Sequence, residues 1–408
     1  MVHFALRKLL CRPLATKNDK QTDAENYAIL SQRLPLDINS TLAIPLPRNL
    51  FEREQEQISN HMRVCMSIGD EIESIRGVAA SEPILAEAAA LMMRCNFNLA
   101  KVLLDILKGY GIDFGDRAEL LVFALFTWAR DRTVSLKQAP QCPGQLSRYF
   151  TVKELFTSLF SESAFTSISR AGPSLGHSNA PRRTFGEVFD DAWMHFNHFI
   201  KPREQKLLAR PYLLTYMARG AAALGANCQS GFDAIYPFLY GGTTLDVDQV
   251  GFIIVQVKKD DIMSEVARAE IFWKMDPFKC GLFNIYQPEG SFPIPIIRIV
   301  FALCSSKSSI THQTYSSPSE GASTFDDHGH PRFTPYDFWC SGINPGILQP
   351  VMQSTDTWVS LANGPESWRT SCDIEAADVL RSQNPGAESD RSHFIPWSAS
   401  VPKCEGLF

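Results

Sequence analysis

A continuous apolar run from Val250 to Lys258 constrains the fold of this chain more than any other feature. The run contains Gly-Phe-Ile-Ile-Val and ends in Gln-Val-Lys. Such a stretch is typical of a central strand that is buried on both faces. A second extended stretch, Ala234 to Tyr240, precedes it, and Gly241 to Thr244 between them have turn composition. The pattern predicts a hairpin folded about a point near Leu245.

The hairpin register predicts which polar side chains meet at one end of the sheet. Asp233, just before the first strand, falls almost opposite Gln256. Because side chains alternate along a strand, Gln256 and Lys258 share one face with Phe252. A lysine so close to a central apolar strand costs free energy unless a partner compensates it, and Asp233 is the natural partner.

Two interpretations of this polar grouping remain open at the level of sequence. In the first, Asp233 and Lys258 form a structural ion pair without chemistry. In the second, they form a metal-dependent phosphodiesterase centre, in which an aspartate and a neighbouring oxygen ligand hold Mg²⁺. Lysine would then stabilise the charge that develops on phosphate or orient the attacking water.

The residues Asp233 and Gln256-Val257-Lys258 resemble the active-site motif of the PD-(D/E)XK nuclease superfamily. More narrowly they are similar to Mrr-like restriction endonucleases, in which glutamine often replaces the glutamate of the E-x-K element. The resemblance covers about residues 207–303 and implies an α/β fold: a restriction-endonuclease-like core, a mixed sheet flanked by helices, within a larger helical frame. The whole chain also resembles uncharacterised multi-copy proteins of mushroom-forming fungi, which implies no activity.

The resemblance also implies roles for individual residues. Asp233 would be the principal Mg²⁺ ligand, Lys258 the catalytic lysine, and Gln256 the donor of a carbonyl oxygen to the metal. Such families add an acid from a helix before the hairpin, and Glu119 best matches that element, although it lies more than a hundred residues upstream. Glu187 and Asp191 are the alternatives. DNA is the partner that this family implies.

Two departures from the family pattern leave the function open. Gln256 lacks the charge of the usual acid, and Pro237 lies inside the first strand, where proline belongs only at edges or bulges. The sequence therefore predicts a Mg²⁺-dependent DNA hydrolase or a catalytically inactive descendant of one. The alternative from another class is a non-catalytic interaction or scaffold protein. A secreted effector is disfavoured because no signal sequence is present.

Composition and charge limit the classes of protein to which the chain can belong. The net charge of −5 gives no global basic field, so any nucleic-acid surface must be local. No apolar run is long enough to cross a bilayer, and we expect no membrane association. The ten scattered cysteines are typical of reduced thiols in an intracellular protein of the cytoplasm or nucleus. Basic residues in Met1 to Lys17 leave a mitochondrial presequence as the alternative to a frayed helix.

The pattern along the chain predicts five regions. They are an N-terminal tail (1–45), a helical region (46–133), a linker or insertion (134–183), the nuclease-like α/β core (184–363) and a disordered tail (364–408). Predicted helices cover 50–75, 84–93, 99–107, 117–130, 185–200, 207–224, 260–275 and 348–361. Further strands are predicted at 294–303 and 336–343, with a mobile loop over 305–331.

Other motifs point less clearly to function. The run Asp326-Asp327-His328-Gly329-His330 has metal-ligand residue types but is typical of a solvated loop. His195 and His198 would share a face of the helix predicted there. A basic cluster, Lys201, Arg203, Lys206 and Arg210, is either a solvated face or a contact for nucleic-acid phosphates. No phosphate-binding glycine loop and no Gly-x-Ser-x-Gly elbow is present.

Overall fold

A nine-stranded mixed sheet, flanked by helices on both faces, organises the computed structural model of this chain. The fold is therefore mixed α/β, as predicted. The structure describes residues 1–12, 21–36, 48–68, 75–94, 97–107, 114–137, 148–175, 183–226, 231–258, 267–283, 293–305, 307–315 and 332–363.

The described strands comprise one small hairpin and the large sheet. The small hairpin consists of β1 (Arg63–Ile68) and β2 (Ile75–Ala79). The large sheet contains β3 (Phe150–Thr151), β4 (Ala192–Met194), β5 (His198–Ile200), β6 (Ala221–Leu224), β7 (Ala234–Tyr240), β8 (Val250–Lys258), β9 (Ile294–Ala302), β10 (Ser309–Gln313) and β11 (Phe333–Ser341).

The described helices lie mostly before and after the strands of the large sheet. They are α1 (Val2–Leu10), α2 (Asp23–Ser31), α3 (Arg48–Asn60), α4 (Pro83–Met93), α5 (Leu99–Leu107), α6 (Phe114–Leu136), α7 (Val152–Leu159), α8 (Glu162–Ser169), α9 (Phe185–Val188), α10 (Arg210–Ala218), α11 (Ala269–Lys274) and α12 (Thr355–Asn363).

The large sheet combines antiparallel and parallel pairing. Its main path runs β10-β11-β9-β8-β7-β4-β3, and β6 joins β5 to the start of β7. The hairpin of β7 and β8 is antiparallel, with Ala234 opposite Val255, which confirms the predicted register. Strand β8 then pairs in parallel with β9, and β9 pairs in parallel with β11. Strand β8 thus has a neighbour on both sides and is central in the sheet, as its apolar run predicts.

Pro237 occupies a position in β7 that tolerates a missing N–H. On one side, it lies opposite Phe252 of β8. On the other side, β6 pairs only with Ala234 and Ile235, and β4 pairs only from Phe238 onward. Proline therefore falls in the gap between two short neighbours, where the ladder needs no donor.

The two faces of the large sheet carry separate cores. On one face, Ile253 and Val255 of β8 join Tyr236 of β7 in a core to which the N-terminal helices, α6, α7 and α12 also contribute. On the other face, Phe252 and Ile254 pack with residues of α10 and α11. Side-chain alternation along β8 thus decides which set of helices each residue meets.

Several predicted elements are confirmed, and in three predicted helices (50–75, 185–200 and 207–224) the later part forms strands instead. The helices near 84–93, 99–107 and 117–130 are present as α4, α5 and α6, and the strand near 294–303 is β9. The helix predicted over 50–75 ends at Asn60, and Met62 with φ 61° leads into the β1–β2 hairpin. The helix predicted over 185–200 is replaced by α9, β4 and β5, because Ala192 to Met194 extends the sheet along β7. Sheet pairing thus overrides local periodicity.

The predicted tail and linker contribute to the main core instead. Leu6 and Leu9 of α1 and Leu155 of α7 are buried in the core on the α6 face, and β3 joins the sheet edge. The stretch 207–224 divides into α10 and β6. The helix predicted over 260–275 is described only from 267 onward and is helical in α11.

The C-terminal elements differ from the prediction in detail. A short 3-10 turn, Gln349–Gln353, precedes α12 where a single helix was predicted, and β11 begins before the strand predicted at 336–343. Strand β10 forms within the loop predicted over 305–331, because Ser309 to Gln313 pairs with β11. Residues 316–331 and the predicted tail 364–408 lie outside the described residues.

Candidate functional site

The start of β7 and the end of β8 form the corner of the sheet where Asp233 lies. The Asp233 backbone N–H donates to the Val255 carbonyl at 2.8 Å, and its own carbonyl accepts from the Gly225 N–H at 2.9 Å. These two bonds extend the ladder by one residue beyond the strand. Asp233 and Gln256 consequently lie opposite each other, as the sequence predicts.

One oxygen of the Asp233 carboxylate receives two hydrogen bonds. Gln256 Nε2 donates to Asp233 Oδ2 at 2.9 Å, and the Val257 backbone N–H donates to the same oxygen. Because an ionised carboxylate can only accept, the Gln256 amide presents its nitrogen rather than its oxygen to Asp233. Desolvation nevertheless outweighs these donors and raises the pKa of Asp233 above its ordinary value.

Lys258 lies at the same corner but does not contact the carboxylate. It is the last residue of β8, it is half-buried, and its charge lowers the pKa of Asp233 without reversing the effect of burial. Both residues are in the described part of the chain, and they form no ion pair within 4.0 Å. The predicted structural ion pair between Lys258 and Asp233 is therefore absent.

The end of α11 packs against the loop that leads to Asp233. Gly231 has φ +102°, and a side chain there would collide with the Lys274 carbonyl oxygen and approach Cys280 Sγ to 3.1 Å. The exposed side chains of Lys274 and Lys279 belong to this segment. Lys258, at the end of β8, is the third lysine of the segments that meet at this corner.

The structure does not bring Glu119 to the face of the sheet that carries Asp233. Glu119 is half-buried on α6. This helix packs on the other face, where Phe126 stacks on Tyr236 with ring centroids 4.4 Å apart and meets Phe301 edge-on at 6.0 Å. By strand alternation, Gln256 lies on the same face as Ile254, which belongs to the opposite core.

The two alternative acids also lie away from Asp233. The Asp191 carbonyl accepts from the Gly241 N–H at 3.0 Å, so Asp191 is at the far end of β7, roughly 25 Å away at strand spacing. Glu187 accepts from the Thr184 N–H at 2.7 Å in a capping box that begins α9. The Asp191 carboxylate accepts from Trp193 Nε1 at 2.9 Å, so both acids have local structural partners.

The donors at the Asp233 corner do not fit a Mg²⁺ site. Mg²⁺ requires near-octahedral oxygen coordination, commonly with more than one carboxylate. Across the described residues no group of three or more His, Cys, Asp or Glu side chains could hold a metal ion. Asp233 already accepts two donors on Oδ2, and the Gln256 amide turns its nitrogen toward it.

The remaining predicted motifs separate into different environments. The Asp326 to His330 run lies outside the described residues. His195 and His198 are not on a helix: His195 follows β4, and His198 is the first residue of β5. In the basic cluster, Lys206 pairs with Glu204 at 2.6 Å and Arg210 stacks on Phe283 at 5.2 Å.

A buried charged network beneath the helices was not predicted from the sequence. Arg33 donates from both terminal nitrogens to Asp131, at 2.9 and 3.1 Å, and its Nε donates to the Asn197 carbonyl. Arg130 donates to Asp131 at 2.9 Å and to Glu87 at 2.7 Å. Isolated charges within the apolar sequences of α4 and α6 were the available signal, since such residues stay charged in a core only when paired.

The charge of Glu87 is stabilised strongly within this network. Burial by itself would raise the pKa of Glu87, but Arg130, the Asn197 side chain, Arg148 and Arg33 together lower it to about 2. Burial lowers the pKa of His195 and of His198 to about 4, and nearby arginines contribute to both shifts. At neutral pH the network thus contains ionised acids and neutral imidazoles.

Comparison of the chain with protein-family models, with curated proteins and with solved structures finds no match. In the part of the chain that the structure describes, none of the helices is long and apolar enough to cross a membrane.

Proposed function

We propose that the chain carries a restriction-endonuclease-like core descended from Mg²⁺-dependent DNA hydrolases, in which catalysis is lost and binding of a DNA phosphate remains. The observation that carries this proposal is the register of the β7–β8 hairpin. It brings Asp233, Gln256 and Lys258 to one end and one face of a buried sheet.

The order of elements around the hairpin supports the proposed core. Helix α10 precedes the strands, α11 follows them, and β9 then returns beside β8 in the parallel sense. This is the order of helix, strand, strand, helix and strand on which the resemblance rests. The additional strand β6 pairs with β7 on the side away from β8.

The chemistry of the corner favours binding over hydrolysis. A single carboxylate whose pKa is raised by burial is a weak ligand for a hard dication. Lys258, Lys274 and Lys279 supply positive charge that can meet phosphate oxygens. The proposal therefore assigns these lysines to DNA backbone contacts and assigns no metal-dependent step to Asp233.

Binding of a fluorescent DNA duplex, followed by anisotropy at several salt concentrations, tests the proposed role. Replacing Lys258 by Gln should weaken binding and reduce the slope of log affinity against log salt by about 1, because one phosphate contact is lost. Lys101→Gln, the same change at an exposed position of α5, should leave both quantities unchanged. Absence of binding in the wild type would favour the scaffold alternative.

A gain-of-ligand variant tests the assignment of lost catalysis. Gln256→Glu places a second carboxylate beside Asp233 and should create a Mn²⁺ or Mg²⁺ site. The two acids repel each other without metal, so the variant should have a lower melting temperature that Mn²⁺ restores. Supercoiled plasmid should remain uncut by the wild type with Mg²⁺ or Mn²⁺. Cleavage by the wild type that Asp233→Ala and Lys258→Ala both abolish would show an active hydrolase instead.

A further inference from the structure

A chain of hydrogen bonds links the half-buried residue Ser81 to the buried carboxylate of Glu87. Ser81 Oγ lies 2.7 Å from His198 Nε2, and His198 Nδ1 lies 2.5 Å from Asn197 Oδ1. Asn197 Nδ2 then donates to Glu87 Oε1 at 2.7 Å. Ser81 precedes α4, Glu87 belongs to α4, Asn197 precedes β5, and His198 is the first residue of β5.

The direction of every proton in this relay follows from its far end. Glu87 is ionised, so it accepts and Asn197 must present its NH₂ group to it. The Asn197 oxygen therefore faces His198 and accepts from Nδ1–H. This fixes the imidazole tautomer with a free lone pair on Nε2, which accepts the Ser81 hydroxyl proton. A nucleophile, a base and a residue that orients the base thus stand in the order that acyl transfer requires.

The relay is buried at its Glu87 end and partly exposed at its Ser81 end. His198, Asn197 and Glu87 are all buried, and Arg130 fixes Glu87 from the other side. Ser81 is half-buried beside the exposed residue Glu82. Ser81 is therefore more exposed than the other three members of the relay.

A cation stands beside Ser81 on the side of the solvent. The exposed side chain of Arg219 donates to the Ser81 carbonyl oxygen at 2.6 Å, and its charge contributes to lowering the pKa of His198. A guanidinium in this position can stabilise the oxyanion of a tetrahedral intermediate or bind an anionic substituent of the substrate.

We propose that Ser81 and His198 form a reactive centre, separate from the Asp233 corner, that attacks activated acyl groups, such as esters that carry an anionic substituent. Ser81 Oγ forms a bond to the carbonyl carbon while its proton passes to His198 Nε2. The carbon–oxygen bond to the leaving group then breaks, and the alcohol takes the proton from His198. Water repeats the sequence and releases the acid. Asn197 is a positioning residue, which keeps the imidazole in the reactive tautomer.

A fluorophosphonate probe tests the reactivity of Ser81 directly, because the serine oxygen displaces fluoride from phosphorus and forms a stable adduct. Mass spectrometry should find the adduct on Ser81 in the wild type. Ser81→Ala should remove it, and His198→Gln should slow labelling roughly 10²-fold or more. Ser167→Ala, the removal of an exposed hydroxyl on α8, should have no effect. No adduct on Ser81, or equal labelling of a folded His198→Gln variant, would overturn the proposal.

The role of Asn197 has its own readout in the pH profile of labelling. The charged and titratable groups that face His198 are Arg33, Arg219 and His195, with Glu87 behind Asn197. Labelling of the wild type should stay constant down to about pH 5 and fall as His198 becomes protonated. Asn197→Asp puts a carboxylate on Nδ1–H and should move this fall to higher pH. An unchanged profile in a folded variant would show that Asn197 does not position the base.

A cysteine variant keeps the test informative if the buried variants fold poorly. Ser81→Cys leaves the core unaltered and places a thiol next to His198 Nε2. Iodoacetamide should alkylate Cys introduced at this position faster than the exposed native thiols of Cys11 and Cys65, because the imidazole accepts the thiol proton. Slower alkylation than at those two positions would contradict an activating contact with His198.

Discussion

Glu87 and Asp233 are both shielded carboxylates, but the pKa of Glu87 falls to about 2 while that of Asp233 rises above its ordinary value. Burial raises the pKa in both places. Around Glu87, Arg130 at 2.7 Å and the Asn197 amide at 2.7 Å outweigh it. At Asp233 an amide, a peptide N–H and a more distant lysine do not.

The comparison shows that contact between charges decides whether a shielded acid stays ionised. Both acids lose solvation on burial, but the Coulomb attraction from a cation grows as the separation and the local dielectric constant decrease. The ionised Glu87 therefore fixes the direction of the hydrogen bonds in its relay. The Asp233 carboxylate, in contrast, is a weaker acid and a weak metal ligand. Four predictions follow the difference between these regions.

Removal of Arg33 should have the largest effect on stability. Arg33→Ala leaves Asp131 with one fewer cation in a buried site, and we expect the free energy of unfolding to fall by about 3–5 kcal/mol. Urea denaturation measures this change. Arg203→Ala, at an exposed position, should stay within about 0.5 kcal/mol. A loss at Arg33 no larger than that at Arg203 would show that the network does not stabilise the fold.

Acid should destabilise the network over two pH intervals. The folded-state pKa values of His195 and His198 are lowered from 6.5 to about 4, so the unfolded chain binds more protons and stability falls as pH drops from 6.5 to 4. Each histidine accounts for at most about 3 kcal/mol. Loss of the Glu87 charge follows between pH 4.5 and 2. In His198→Gln, the melting temperature should fall less than in the wild type as the pH drops from 6.5 to 4. His3→Gln should show the same pH dependence as the wild type.

A methyl group at Gly231 should disturb the Asp233 corner. Gly231 has φ +102°, and a Cβ atom would collide with the Lys274 carbonyl oxygen, so Gly231→Ala should cost about 1–3 kcal/mol. Gly172→Ala is the matched control, because no atom lies within 4 Å of its added Cβ. An equal free energy of unfolding for the two variants, measured in urea, would show that α11 does not pack closely against this loop.

The smallest effect should come from neutralising Asp233. Asn keeps an oxygen for the Gln256 and Val257 donors, and the raised pKa shows that the charge is disfavoured, so Asp233→Asn should change stability by about 1 kcal/mol or less. The corresponding replacement Glu87→Gln should lower the free energy of unfolding several times more. A comparable loss at both positions, measured at pH 7, would remove the contrast between the two regions.

The parts of the fold that local spacing determines were predicted correctly. The β7–β8 register depends on one short connection and on alternation, so Asp233 opposite Gln256 could be predicted before the structure. Pro83 and the Ala-rich sequence after it predict α4 in the same way. Strand β4 was missed because Ala192 to Met194 is extended only through its pairing with Phe238 to Tyr240.

The relay and the charged network could not be predicted because their members are far apart in sequence. Ser81 and His198 are separated by 117 positions, and Glu87 and Asn197 by 110. No periodicity relates such residues. Sequence motifs, from metal-ligand runs to nucleophile elbows, relate residues that are close in the chain, and none spans these distances.

The sequence by itself determined the central hairpin, the faces of its strands and several helices, since each depends on neighbours a few residues apart. Tertiary structure decided which charges became paired, because an arginine stabilises a buried acid only when the fold brings the two into contact. It placed α6 and Glu119 on the face opposite Gln256 and joined Ser81 to His198. The chemistry available to each side chain therefore depends on the packing of the two layers around the sheet.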